Sequence, residues 1–306
     1  MQSKITFLLP LFHGNHYFRI WLKNNYEKNR EFKYFFADGS GNNNNYKILK
    51  KIKKINNFRY KKFPEDKFFP KNLVIKIRKA LEKIRTKYVM LVDVDDFINF
   101  TGVEKIIQSL DENKYNVLSG DILYVSEVKN EKYRIDLQSN SFSGFTEGRQ
   151  KENIIKYLTK PNDHKHSYIF YSIYKKEILL KVYKYLERKP FLSPTFYEIA
   201  NTVLSFYYGK FKYLKTNHLI RLNNPKNSFN KTYKNKLKRS NKQIINLKKN
   251  LRKNQENLEK LIETKFQIEK NYSKKLIWSF FNSKKIPKTF IRNFFHRILS
   301  LIKLNF

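Results

Sequence analysis

Ten consecutive residues decide the fold class of this chain: Tyr88-Val89-Met90-Leu91-Val92-Asp93-Val94-Asp95-Asp96-Phe97. The uninterrupted apolar run at their start is typical of a strand buried on both faces, as in a parallel sheet. Three carboxylates within four positions follow this run directly. Carboxylates at the end of a buried strand repel one another, by roughly 4 kcal/mol for a pair about 4 Å apart at an effective dielectric constant of about 20. A cation is therefore expected beside them.

Two interpretations of these carboxylates are open at this point. Divalent cations prefer hard oxygen ligands, and in an extended segment Asp93 and Asp95 point to one side while Asp96 points to the other. This arrangement predicts an Asp-x-Asp metal site at Asp93 and Asp95. The alternative is an Asp-rich turn that only ends the strand and caps the next helix.

The segments before this stretch alternate between two patterns. Strands are predicted at 5–12, 33–37 and 58–63, and helices at 16–26, 47–55 and 72–84. Such alternation predicts an α/β fold with a mainly parallel, doubly wound sheet and helices on both faces. Ligands of such sheets bind beyond the carboxyl ends of the strands. Asp38 follows the second strand, so we expect Asp38, Asp93 and Asp95 to converge on one cleft, which favours the metal interpretation.

The following segments continue the domain to about residue 223. Thr101 and Glu104 form a candidate capping box, with Thr101 as the N-cap of a helix over 101–110. Further helices are predicted at 147–158, 175–186 and 196–208, and strands at 116–125, 132–137 and from 212 onward. The strands at 116–125 and 132–137 are expected to pair with each other.

The composition restricts the class of partner. The chain has 64 Lys and Arg against 26 Asp and Glu, a formal net charge of +38, and this favours anionic partners. It contains no cysteine, which excludes disulfides and thiolate metal sites. We expect neither a signal peptide nor a membrane-spanning helix.

The composition changes after residue 223, which predicts two further segments, 224–275 and 276–306. The first is basic, and Leu237, Ile244, Leu251 and Leu258 recur every seven residues. This pattern is consistent with a coiled coil that forms a homo-oligomer through 237–268, or with a helix packed back on the domain. The second segment carries an apolar stripe over 290–302 with basic residues around it. It predicts an interfacial helix on an anionic membrane surface, or a helix that docks on protein.

Three motifs in order carry a resemblance to a known family: Ala37-Asp38-Gly39-Ser40, Thr86-Lys87-Tyr88 and Asp93-Val94-Asp95-Asp96-Phe97. Over about residues 4–222 the chain resembles the bacterial members of glycosyltransferase family 2, which have the GT-A fold. The resemblance implies that Asp38 contacts the base of a nucleotide-diphosphate sugar and Asp93 its ribose. It also implies Mn²⁺ or Mg²⁺ on Asp95 and Pro10 beneath the nucleotide. His218 is a candidate for a third metal ligand, and the alternative is a surface or satisfied histidine.

The resemblance also implies a general base about a hundred residues after the metal motif. Glu198 stands at that place, although the acid that usually follows is replaced by Ile199. The alternative for Glu198 is a residue near a helix N-terminus that the helix dipole stabilises. Candidates of lower rank are the loop residues His13 and His16, the basic residues Arg78 and Arg149, and Arg221 as a phosphate contact. Asp163 or His166 could act on the acceptor, and the alternative is that both belong only to a polar loop.

The expected function is that of a metal-dependent, inverting glycosyltransferase. It would move a sugar from a nucleotide-sugar donor to a cell-surface glycan or a lipid-linked acceptor. Its expected location is cytoplasmic and peripheral, on the inner face of the bacterial cytoplasmic membrane. Two alternatives remain: a catalytically degenerate GT-A module that assists assembly at the membrane, and a basic nucleic-acid-binding protein. No nucleic-acid-binding motif is present, so we expect no nucleic acid as partner.

Overall fold

The computed structural model describes residues 4–11, 15–51, 57–66, 70–112, 114–128, 132–138, 145, 149–159, 168–223 and 241–282. The strands of this part are β1 (Ile5–Leu11), β2 (Lys33–Asp38), β3 (Phe58–Lys62), β4 (Tyr88–Leu91), β5 (Asp96–Ile98), β6 (Val117–Val128), β7 (Lys132–Gln138), β8 (Ile173–Lys175) and β9 (Phe211–Asn223). The α-helices are α1 (Asn15–Trp21), α2 (Asn44–Lys50), α3 (Lys71–Leu81), α4 (Phe100–Glu112), α5 (Gln150–Thr159), α6 (Lys176–Arg188), α7 (Pro194–Tyr208), α8 (Asn241–Phe266) and α9 (Lys270–Asn282). A π-helical segment (Leu22–Tyr26) continues α1, and a 3₁₀ turn (Tyr168–Tyr171) precedes β8.

All the strands belong to one mixed sheet in the order β3-β2-β1-β4-β8-β6-β9-β5, with β7 beside β6. Strands β1 to β4 are parallel to one another, and β6 and β9 are parallel to each other. Because β8 is antiparallel to both β4 and β6, β9 runs in the same direction as β4. The carboxyl ends of β1, β2, β4 and β9 therefore lie along one edge. The predicted mainly parallel α/β sheet is confirmed, as is the β6–β7 pairing.

The stretch that begins at Tyr88 is the centre of the core. Every residue from Tyr88 to Val92 is 0 % exposed, and β1 on one side of β4 is buried along its whole length. Burial of each such apolar side chain is worth about 1.5–3 kcal/mol. The sheet interior therefore holds β4 firmly, and the chain that leaves its carboxyl end starts from a fixed point.

The start of α4 differs from the prediction. The helix begins at Phe100, and the cap is Asn99, whose Oδ1 accepts a hydrogen bond from the Gly102 amide at 3.3 Å. Thr101 lies inside the first turn instead. Gly102 is required at its position because a Cβ there would collide with the carbonyl of Asn217 in β9. The close approach of α4 to β9 fixes the segment of β9 that leads to Arg221.

The C-terminal helices α8 and α9 pack against the sheet domain. Phe266 at the end of α8 lies 5.6 Å from Tyr207 of α7, and Phe280 of α9 lies 5.7 Å from Tyr157 of α5, both between ring centroids. In the middle of α8 the buried Asn254 accepts a hydrogen bond from the Leu192 amide at 2.8 Å. These contacts favour the packed-back interpretation, and a coiled coil through 237–268 stays a prediction.

Helix α9 crosses the predicted boundary between 275 and 276. The amphipathic stripe of 290–302 lies outside the described residues, as does the linker 224–240. Among the helices that the structure describes, none combines the length and apolar character needed to cross a bilayer.

Candidate active site

The chain turns sharply as it leaves β4. The Val92 amide makes the last hydrogen bond to β1, at 3.1 Å from Leu8 O, and the Asp96 amide then bonds back to Asp93 O at 3.2 Å. One carboxylate oxygen each from Asp93, Asp95 and Asp96 lies within 4.8 Å of the other two. We call these three residues the β4 carboxylate group. The expectation that Asp96 points away was wrong, because it assumed an extended segment where the chain forms a turn.

A buried side chain from another element holds this turn. Asn25, in the π-helical segment, donates from Nδ2 to Asp96 O at 3.2 Å and accepts at Oδ1 from the Ile98 amide at 2.8 Å. It therefore bonds to the backbone at both ends of β5. Sequence reasoning did not single out Asn25, since an isolated asparagine after a helical pattern carries no signal.

Two side chains contact the β4 carboxylate group directly. Tyr171 donates from its hydroxyl to Asp93 Oδ2 at 2.6 Å. Arg221 donates from Nε to Asp96 Oδ1 at 3.1 Å, and its Nη2 lies 3.7 Å from Asp93 Oδ2. The guanidinium carbon is 4.2 Å from the centre of the Tyr171 ring. Arg221 was ranked low as a phosphate contact, and the structure places it against carboxylates.

The electrostatics of the β4 carboxylate group favour a bound cation. Burial and the charge of Asp93 raise the pKa of Asp95, and Arg221 opposes them. Burial also raises the pKa of Asp96, against the same guanidinium. Asp96 Oδ2 is buried and has no hydrogen-bond partner in the part of the chain that the structure describes. An orphaned carboxylate oxygen beside two further carboxylates fits a hard divalent ion such as Mg²⁺ or Mn²⁺.

Asp38, at the end of β2, has the opposite environment. Its carboxylate is 0 % exposed and accepts hydrogen bonds from the Ser40 amide at 2.8 Å and the Tyr60 hydroxyl at 2.6 Å. The Lys62 ammonium lies 3.5 Å from Oδ2. Burial alone would raise the pKa of Asp38, but these hydrogen bonds and the lysine lower it below its ordinary value. Both oxygens already accept hydrogen bonds. Contact of Asp38 with a nucleotide base stays a prediction, and it would require Asp38 to exchange one of these partners for the base.

A second ion pair lies behind Asp38. Lys76 of α3 is buried, pairs with Asp66 and donates to Leu11 O at 2.9 Å. Gly39 makes room for this pair, since a Cβ there would collide with the Asp66 carboxylate. Each carboxylate of this region therefore has its own lysine. Lys76 was missed because a lysine within an amphipathic helical pattern is normally assigned to the solvent face.

Pro10 lies near the end of β1, where only β2 still pairs with it. The β1–β4 register ends at Leu8 and Leu91, whereas the β1–β2 register continues to Leu11 and Asp38. Leu8 O faces β4, so Pro10, two residues later, presents its nitrogen to the side where β4 has ended. The missing amide hydrogen therefore costs no ladder bond. Its role beneath a nucleotide stays a prediction.

His218 lies beside Tyr171, which contacts the β4 carboxylate group. It is fully buried at an irregularity of the β6–β9 pairing, with Nδ1 3.1 Å from Asp121 O and Nε2 3.1 Å from Tyr171 O. Burial lowers its pKa to about 4, although the two carbonyls oppose this shift. Because both nitrogens face backbone carbonyls, the structure favours the interpretation as a satisfied histidine, and metal ligation by His218 stays a prediction that would require these contacts to break. In the tautomer that carries its proton on Nε2, the ring donates to Tyr171 O and so holds the backbone of the residue that bonds to Asp93.

Glu198 lies in the second turn of α7, because the helix begins at Pro194 rather than at Phe196. This position weakens the helix-dipole interpretation, since that effect is confined to the first turn. Burial raises the pKa of Glu198 to about 7, Arg221 lowers it and Asp93 raises it. The charges of Arg221 and Asp93 therefore act on the Glu198 carboxyl in opposite directions. A carboxyl with a pKa near neutrality suits proton transfer.

Two of the remaining candidates, Arg78 and Arg149, form other ion pairs. Arg78 pairs with Glu187 through two nitrogens, at 2.8 and 2.9 Å, and joins α3 to α6. Arg149 forms an exposed pair with Glu152. His13, Asp163 and His166 lie outside the described residues, and so does the side chain of His16.

Comparison with known proteins decides the family. The family model described as glycosyl transferase family 2 matches residues 22–183, which is more than half of the chain. The chain belongs to this family. The match covers Asp38 and the whole β4 carboxylate group, and it ends before Glu198. No curated protein matches this glycosyltransferase.

Solved structures share the fold of this glycosyltransferase. The crystal structure of S. aureus TarS 1-349 has 14% identity and a TM-score of 0.58, and the match covers 94% of this chain and 74% of that one. The same protein in complex with UDP-GlcNAc has 13% identity and a TM-score of 0.57, with 92% and 72% covered. At this identity the likeness shows the GT-A fold alone.

Proposed function

We propose that this protein is a metal-dependent, inverting glycosyltransferase whose donor is a nucleoside-diphosphate sugar. The observation that carries the proposal is the β4 carboxylate group, whose three carboxylates lie together at the carboxyl end of β4. One set of carboxylates suits a divalent ion, and a separate carboxyl with a pKa near 7 suits proton transfer. That TarS has been crystallised with UDP-GlcNAc and with UDP supports UDP-linked donors as the first to test.

The roles of the chain's own residues follow from their placement. Asp95 and Asp93 would hold Mn²⁺ or Mg²⁺, and Asp96 would be its neighbour or a further ligand. The ion, when bound, offsets the charge that develops on the diphosphate leaving group. Asp93 bears a hydrogen bond from Tyr171 that fixes its orientation. Pro10 and the β2 end would form the floor under the nucleotide.

Glu198 is the proposed general base. It accepts the proton of the acceptor hydroxyl as that oxygen forms a bond to the anomeric carbon from the face opposite the diphosphate. The bond from the anomeric carbon to the diphosphate breaks at the same time, so the configuration inverts. A positioned general base contributes about 10²–10⁴-fold to the rate.

The acceptor is proposed to be a glycan or a lipid-linked precursor of a cell-surface polysaccharide, used at the inner face of the cytoplasmic membrane. The net charge of +38 and the amphipathic stripe of 290–302 support an anionic membrane surface as partner. Flotation with anionic and with neutral vesicles tests this location, with a chain shortened at residue 283 as the control. Equal binding of both chains to anionic vesicles would contradict a role for the stripe.

Thermal unfolding against a panel of nucleoside diphosphates, with Mn²⁺ and with EDTA, tests the donor site. We expect a metal-dependent rise in the melting temperature with one nucleotide, because a ligand that binds only the folded state stabilises it by mass action. Release of that nucleoside diphosphate from the matching donor should be lost in Glu198→Gln, while the nucleotide still stabilises the variant. Stabilisation by the nucleotide without release under any condition would favour the degenerate assembly module.

A further inference from the structure

Arg221 is built into the backbone that carries the β4 carboxylate group. Strands β5 and β9 pair so that the Cα of Arg221 lies directly opposite that of Asp96. Its guanidinium bonds to Asp96 at 3.1 Å, lies 3.7 Å from Asp93 and stacks 4.2 Å from the centre of the Tyr171 ring. Asn25 holds β5 and His218 holds Tyr171, so each partner of Arg221 is itself fixed. Its position is therefore set before any ligand arrives.

Arg221 forms ion pairs with two of the three carboxylates of the β4 carboxylate group. Its salt bridges go to Asp93 and Asp96, and within the described residues no salt bridge reaches Asp95. When all three carboxylates are ionised, as ligation of a metal requires, they and one guanidinium carry a net charge of −2, which one divalent cation neutralises. We propose that Arg221 is the permanent counter-cation of this site: it holds Asp93 and Asp96 in place, leaves Asp95 to the metal and sets the charge that the metal and the diphosphate meet.

This role has two opposite consequences for a variant without the guanidinium. The metal alone binds more tightly to Arg221→Gln, by about tenfold or more, because a nearby positive charge no longer repels it. The metal-loaded site then carries a net charge of −1 instead of zero, so a nucleoside diphosphate binds more weakly, by about tenfold. A merely structural role predicts that both affinities fall, because a loosened site binds both ligands less well.

Arg221→Lys keeps the charge and loses the planar fork and the stacking on Tyr171. We expect its metal affinity to stay within about threefold of the wild type, with weaker nucleotide binding. The matched control is Arg78→Gln, which removes the same charge from the pair with Glu187 and Glu82, away from the site. Its metal affinity should equal that of the wild type, which separates the local effect from the effect of net charge.

The experiment titrates Mn²⁺ into the full chain without nucleotide, with free Mn²⁺ followed by electron paramagnetic resonance. It then titrates UDP at saturating Mn²⁺ by calorimetry. Tighter Mn²⁺ and weaker UDP in Arg221→Gln support the proposal, and unchanged or weaker Mn²⁺ overturns it. If that variant does not fold, Arg221→Lys decides, since a tenfold loss of Mn²⁺ affinity there is incompatible with a role set by charge.

The nucleotide half of this inference rests on the proposed function, and the metal half does not. If UDP and the other nucleoside diphosphates bind no form of the protein while Mn²⁺ affinity rises in Arg221→Gln, the donor proposal fails and the counter-cation stands. If UDP binds the wild type with Mn²⁺ but Arg221→Gln leaves the Mn²⁺ affinity unchanged, the counter-cation fails and the donor proposal stands.

Discussion

Two strand ends of this glycosyltransferase carry carboxylates on the same edge of the sheet, and their environments are opposite. At β2, Asp38 is saturated with donors and has a lysine beside it, so its pKa is lowered. At β4, one arginine pairs with two of the three carboxylates, the pKa values of Asp95 and Asp96 are raised, and one oxygen of Asp96 has no partner within the described chain. The β2 end is complete without a ligand, whereas the β4 end is stabilised by added positive charge.

The variant with the largest expected effect is Asp95→Ala, which tests whether the carboxylates at the β4 end serve a metal rather than the fold. We expect Mn²⁺ affinity to fall by more than about 100-fold, since even residues that only support metal ligands contribute about 10–100-fold. Stability in EDTA should stay equal or rise, because the change removes one of three carboxylates that repel one another. Mn²⁺ titration and thermal unfolding in EDTA measure the two effects. A clear loss of stability in EDTA would mean that Asp95, like Asp38, supports the fold.

The converse change is Asp38→Asn. An amide has one acceptor oxygen, so it can accept only one of the Tyr60 and Ser40 hydrogen bonds and its NH₂ group faces the other donor, while Lys62 loses its ionic partner. We expect the free energy of unfolding to fall by about 2–4 kcal/mol. Urea denaturation measures this loss, and Mn²⁺ affinity should not change. A weakened metal site with intact stability would show that the two strand ends act as one unit.

These two regions also show what the sequence could predict. The apolar run of β4 and the alternation of strands and helices fix the sheet, so Asp38, Asp93 and Asp95 were correctly placed at strand ends on one edge. The direction of Asp96 was not predictable, because the turn depends on Asn25, which is 71 residues away from Asp96. The local pattern of apolar residues gives no information about a contact at that sequence separation.

The contacts that Arg221 and Tyr171 make with the β4 carboxylate group were not predicted, for a related reason. Strands β5 and β8 have only three residues each, too few for a periodic signal, yet their antiparallel pairings bring Arg221 and Tyr171 to the site. The hydrogen bond from Tyr171 to Asp93 joins residues 78 positions apart. Element types were readable from the sequence, whereas the contacts that complete the site come from tertiary packing.

The pH dependence of Glu198 sharpens the comparison further. Its pKa in the folded protein is about 7, above the ordinary value of 4.5, so between these values the folded state binds more protons than the unfolded state. The free energy of unfolding therefore falls as the pH rises from 4.5 to 7, by about 1–2 kcal/mol, an amount that allows for solvent screening of the half-buried Glu198 side chain. Asp38 has a lowered pKa, so its effect on stability has the opposite sign. Its contribution to the free energy of unfolding is lost as the pH falls below the ordinary pKa of an aspartate.

Urea unfolding in EDTA across this pH window measures the effect, with Glu198→Gln as the matched variant. The variant should lack the decrease, so its stability relative to the wild type rises toward pH 7. If Glu198 is the base, kcat/KM of the wild type should also rise with pH through about 7. Parallel curves for wild type and variant would place the titration on another group.

The smallest expected effects come from one pair of identical changes, Tyr60→Phe and Tyr171→Phe. Each removes a hydroxyl that donates at 2.6 Å to a carboxylate, Asp38 in one region and Asp93 in the other. Asp38 is fully buried, so the lost bond should cost about 1–3 kcal/mol in urea unfolding. The side chain of Asp93 is 36% exposed, so water can replace the hydroxyl and the cost should stay below about 1 kcal/mol. Equal losses would mean that the β4 end is as closed as the β2 end, and the contrast between a completed and an open strand end would then fail.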